Sequence, residues 1–119
     1  MVSIGVDIVE IERIESAIKQ WEKHFLDRIY TEAEIRICQD ESSSLASRFA
    51  AKEAVMKVLG IGGIGIGWRE IEILTGCDGR PLVKLYGQAL KKAAKLNLKE
   101  FSISLSDSKQ HAVAVAIGM

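Results

Sequence analysis

Residues 48–60 read RFAAKEAVMKVLG. Eight apolar residues (Phe49, Ala50, Ala51, Ala54, Val55, Met56, Val58 and Leu59) are threaded with Arg48, Lys52, Glu53 and Lys57. The serines 42–44 upstream offer an N-cap, and Gly60 offers the left-handed residue that ends a helix, so the stretch predicts one long helix from about 42 to 60. At roughly 100° per residue, Leu45, Phe49 and Met56 share one arc, Glu53 lies about 40° from Phe49 on its edge, and Arg48 with Lys52 lie on the opposite flank. Glu53 and Lys57 stand at i,i+4 in the favourable orientation. Two readings stay open on this geometry: a surface ion pair worth about 0.3–0.5 kcal/mol, or the floor of an active site.

Outward from this helix the pattern changes. Toward the N-terminus, Val2, Ile4, Val6 and Ile8 alternate with Ser3, Gly5, Asp7 and Val9, which predicts a half-buried strand with Asp7 on its less apolar face. A helix is expected from about Glu10 to Lys23, and Thr31 with Glu34 three residues on makes a capping box for another over 32–39. Toward the C-terminus, GIGGIGIGW carries glycine at 60, 62, 63, 65 and 67 and reads as a flexible connection. REIEILT (69–75) and PLVKLYG (81–87), separated by the turn signal CDGRP, read as a hairpin. Helical spacing returns over 88–96, with Lys91, Lys92 and Lys95 on the wet side, and FSISLSDS (101–108) and HAVAVAI (111–117) alternate as a final strand pair. The order β-α-α-α-β-β-α-β-β predicts an α+β fold with a largely antiparallel sheet around a long central helix, in one domain over 1–119.

The 119 residues balance 16 basic against 16 acidic side chains, so no global basic field attracts nucleic acid and any anion site must be local. Cys38 and Cys77 form no CxxC pairing, which suits a reducing cytoplasm better than a disulfide framework or a zinc site. Asp7 interrupts the N-terminal apolar stretch too early for a secretory signal, and no apolar run reaches membrane-spanning length.

Two carboxylates, Asp7 on the first strand and Glu53 on the long helix, are the chemically suggestive pair. Brought together they would repel unless a cation lay between them, and hard oxygen ligands of this kind suit magnesium with substrate phosphates. Arg48, Lys52 and Lys57 could meet remaining phosphate charge. Equally, Asp7 could be a gatekeeper on an edge strand. The glycines at 60, 62 and 65 imitate a dinucleotide fingerprint, but they follow a helix and precede a strand, the reverse of the required context, and no P-loop lysine follows. His24 and His111 stand far apart, and Ser102, Ser104 and Ser106 line one strand face with no nearby base.

Five collinear stretches carry a resemblance: IGVDIVEIERI (4–14), RFAAKEAVMKVLG (48–60), WREIEI (68–73), DGRP (78–81) and SISLSDSKQHAVAVA (102–116). Together they resemble the holo-acyl-carrier-protein synthase family, small bacterial 4′-phosphopantetheinyl transferases. The resemblance implies transfer of the 4′-phosphopantetheine arm of coenzyme A to a serine of apo acyl carrier protein in fatty acid biosynthesis, with release of adenosine 3′,5′-bisphosphate. It implies Asp7 and Glu53 as Mg2+ ligands and, with Lys57, as the catalytic set. Coenzyme A would meet Arg48 at its 3′-phosphate, Lys57 at its pyrophosphate, Lys52 nearby, and Gly79, Pro81, Ser106 and Asp107 on the adenine side. Many members carry histidine where this chain has Asp107, and a carboxylate cannot donate to phosphate as imidazolium does. Arg13 matches the family motif for docking the acidic carrier, with Lys23 and Arg28 added by proximity, and the family implies a homotrimer with sites at subunit interfaces. A non-catalytic carrier-protein or nucleotide-binding module of the same fold is the alternative.

Overall fold

The computed structural model describes residues 1–60 and 65–119. The middle of the glycine-rich connection, 61–64, lies outside the described residues. The chain runs β1 (Ser3–Glu10), α1 (Ile11–Trp21), α2 (Lys23–Ile29), α3 (Glu32–Cys38), α4 (Ser42–Leu59), a 3-10 turn (Trp68–Glu70), β2 (Ile71–Thr75), β3 (Pro81–Leu85), α5 (Gly87–Lys95), β4 (Phe101–Asp107) and β5 (His111–Gly118). The expected α+β fold is present. Its antiparallel strands form two sheets rather than one, ordered β1-β5-β4 and β2-β3. Helix α2 is an addition to the predicted order, separated from α1 by Glu22 at φ 48°.

Local signals behave mostly as their chemistry requires. Thr31 Oγ1 accepts from the Glu34 amide at 3.2 Å while the Thr31 amide donates to Glu34 Oε1 at 2.8 Å, closing the expected capping box. Gly60 ends α4 in the left-handed region. The serine cluster, however, lies inside α4: Glu41 is the N-cap and makes no side-chain cap bond. Gly79, at φ 84°, turns the β2–β3 hairpin.

Helix α4 lies across β1 and β5 and is buried nearly all round. Among the described residues only Lys57 of this helix is exposed, with Phe49 and Glu53 half-buried on the same strip. Arg48 and Lys52 point inward, so the flank opposite Phe49 is buried rather than solvated. Helix and sheet meet through small residues: Ala50, Ala51 and Ala54 pack with Ala114 and Ala116. At Gly5 a Cβ would collide with the Ala54 carbonyl oxygen.

This close approach inverts the burial of β1. The strand is half-buried as predicted, but the buried half is the less apolar face of Ser3, Gly5, Asp7 and Val9. Ile4, Val6 and Ile8 are left 67, 53 and 62 % exposed. Across the ladder they oppose Ile117, Val115 and Val113, which face Ser102, Ser104 and Ser106 in turn, so the outer face of the sheet is a contiguous aliphatic patch bordered by serines.

Candidate active site

Asp7 sits mid-strand on β1, facing α4, and shares a cleft of about 390 Å³ with Glu53, Arg13, Ile14, Ala17, Phe25 and Phe49. Burial, and after it the charge of Asp7, raises the Glu53 carboxyl above its ordinary range, with Lys57 opposing. Lys57 does not form the helix-surface pair with Glu53. Its Nζ donates to the Val6 carbonyl at 2.8 Å and lies 3.4 Å from Asp7 Oδ1, 53 % exposed. Two partly desolvated carboxylates, one of them beside a half-exposed ammonium, have spare anionic oxygens, the donor chemistry a small divalent cation takes when substrate phosphates supply the rest. Among the described residues no third acidic, histidine or cysteine ligand joins them.

A second depression of about 770 Å³ lies between the β2–β3 hairpin and the free edge of β4. Arg48, Thr75, Asp78, Gly79, Arg80, Pro81 and Leu82 line one side and residues 101–105 the other. The predicted partners Arg48, Gly79 and Pro81 are thus brought together. Thr75 was not singled out by the sequence; a polar residue closing an apolar strand just before the turn was the available signal.

Lys52, expected near coenzyme A, lines neither depression: its Nζ is fully buried, donating to Glu34 Oε1 at 2.7 Å, the Ile71 carbonyl at 2.6 Å and the Trp68 carbonyl at 3.1 Å. Burial lowers its basicity and Glu34 opposes that shift. The other Glu34 oxygen accepts from the Ile73 amide at 2.8 Å, so the pair finishes the unpaired edge of β2 and ties α3, α4 and β2 together. Ser106 lies on the outer sheet face beside Val113, and Asp107 at the exposed end of β4; neither lines the groove. Arg13 borders the carboxylate cleft, whereas Lys23 and Arg28 are exposed on α2 and line neither depression.

Among the described residues, none lines both the cleft and the groove. Asp7 belongs to one edge strand of the sheet, β1, and the groove to the other, β4.

The carboxylate pair in its cleft and the buried arginine in a second groove are the two polar features that the fold sets apart. The model of the 4′-phosphopantetheinyl transferase superfamily matches residues 3–116, and the chain belongs to that superfamily. It is 44% identical over 126 residues to the holo-[acyl-carrier-protein] synthase of Herpetosiphon aurantiacus, covering 100% of this chain and 99% of that one. Identity is 49% over 117 residues to the synthase of Dehalococcoides mccartyi, covering 98% of each. Its fold matches the crystal structure of Helicobacter pylori holo-[acyl-carrier-protein] synthase in complex with coenzyme A, with a TM-score of 0.87, 37% identity, and coverage of 98% of this chain and 99% of that one. The chain is a transferase.

Proposed function

We infer that this chain, as one transferase domain, moves the 4′-phosphopantetheine group of coenzyme A to a serine of apo acyl carrier protein in cytoplasmic fatty acid synthesis. The serine oxygen forms the new P–O bond as the bond to the departing adenosine 3′,5′-bisphosphate breaks. The observation that carries the reading is the Asp7–Glu53 cleft with Lys57 at its mouth. Asp7 and Glu53 would hold Mg2+. When bound, that cation draws charge from the phosphorus under attack and from the leaving phosphate. Lys57, whose ammonium among the described residues meets Val6 and Asp7 and whose side chain is half exposed, can swing that ammonium onto the pyrophosphate. Arg48 takes the nucleotide's phosphate end, and Arg13, at the rim of the cleft, meets the acidic carrier. Free Cys38 and Cys77 suit a reducing compartment.

The working unit is a homotrimer with the site at the seam between copies. The placement of the two depressions supports this: they border opposite edges of one sheet, β1 and β4, so that β1 of one copy set against β4 of the next would bring them together. The aliphatic outer face of the sheet supplies an interface that large exposed apolar patches commonly mark.

Incubating the protein with coenzyme A, Mg2+ and apo acyl carrier protein should raise the carrier's mass by one phosphopantetheine. No gain with either magnesium or manganese would overturn the enzymatic reading. Glu53→Gln and Arg48→Ala should each be folded and inactive, and mixing them under subunit exchange should restore transfer. No recovery would mean that one chain holds the whole site.

A further inference from the structure

Arg48 leaves α4 toward the hairpin and is only 8 % exposed. A guanidinium carries five N–H donors and no acceptor, so burying it with few partners is costly. Among the described residues its side chain makes one hydrogen bond: Nη2 donates to Thr75 Oγ1 at 3.0 Å. Its Nε is buried without an acceptor. Arg48 lines the groove, so an anion that enters it can accept from guanidinium N–H groups that no protein acceptor among the described residues takes.

Thr75 is the last residue of β2 and exposed to that groove. A hydroxyl has one proton and two lone pairs. By accepting from Arg48, Thr75 commits a lone pair, and its proton must point elsewhere, with the groove as the open direction. The same bond fixes the guanidinium. Thr75 therefore contributes twice: it orients Arg48 and adds a neutral donor beside it. The other cation on this wall, Arg80, is compensated by Asp78 at 3.5 Å and is 84 % exposed, so solvent screens it.

We propose that Thr75 is the specificity-determining residue by which this transferase distinguishes a nucleotide bearing a 3′-phosphate from one lacking it. The proposal rests on the reading that the Arg48 groove takes the nucleotide end of the donor. Arg48 supplies the charge, and Thr75 turns it into discrimination between phosphorylated and unphosphorylated ends.

The test uses the intact protein and two probes, adenosine 3′,5′-bisphosphate and adenosine 5′-phosphate, titrated calorimetrically into wild type, Thr75→Val and Thr75→Ser. Wild type should prefer the bisphosphate. Thr75→Val is isosteric and removes only the hydroxyl, so the ratio of the two dissociation constants should shrink about tenfold, the scale of one hydrogen bond to a charged group. Thr75→Ser should keep the wild-type ratio. The ratio of kcat/KM for coenzyme A against 3′-dephospho-coenzyme A should shrink in parallel. Equal weakening of both probes in Thr75→Val, or loss of the ratio in Thr75→Ser, would show a merely structural role and overturn the proposal. A wild type without preference removes the groove assignment, and Thr75's role with it, while the carrier-mass assay decides separately whether the chain is a transferase.

Discussion

Lys52→Met tests the reassignment of a residue that the chain's resemblance places at coenzyme A and the fold places in the core. Methionine has nearly the length of lysine and no charge. The substitution leaves Glu34 fully buried without its cationic partner, keeping its bonds from the Thr31 and Ile73 amides, and deprives the Trp68 and Ile71 carbonyls of their donor. Breaking one side of a buried pair costs about 3–5 kcal/mol. The two surviving amide bonds place this case near the lower figure, about 3 kcal/mol. At roughly 4 °C per kcal/mol for a domain of this size, the melting temperature should fall by about 12 °C. Glu34→Gln alone should cost a similar amount, because it strands the Lys52 charge. The double variant Lys52→Met/Glu34→Gln should cost less than the sum of the two, with a coupling of about 1–3 kcal/mol. Urea denaturation followed by circular dichroism measures all three variants, and calorimetry with adenosine 3′,5′-bisphosphate accompanies them. A Lys52→Met protein destabilised by under about 1 kcal/mol that has nonetheless lost nucleotide affinity would refute the reasoning, because Lys52 would then be a ligand of the substrate.

Val6→Asp places a charge in the exposed aliphatic patch opposite Val115. It should convert the protein to monomers in light scattering and abolish transfer with little loss of secondary structure; an active monomer would rule out a shared site. For the cysteines, a thiol reagent should find one fast group per native chain, Cys77, and a second only on unfolding. Cys38 is buried, and that burial pushes its thiol up to about 11 against the pull of Arg48. Two fast thiols in the native state would mean that the core around Cys38 is open.

The sequence by itself determined the elements and the family. Alternation, the Thr31–Glu34 box, Gly60 and the DGRP turn are local signals whose physics needs no distant partner, and they placed nearly every strand and helix. The motif stretches likewise singled out Asp7, Glu53, Lys57 and Arg48, which line the two depressions or border them. Tertiary structure alone decided which face of each element is buried. In β1 the aliphatic residues turn outward because an alanine-rich helix approaches too closely for anything larger than Gly5 beneath it. In α4 the charges of Arg48 and Lys52 go inward because acceptors come from elements far along the chain: Thr75, Trp68, Ile71 and Glu34. Periodicity reports that two faces differ. Which face meets protein depends on what packs there, and whether a buried lysine is tolerable depends on partners that only the folded chain brings within hydrogen-bond range.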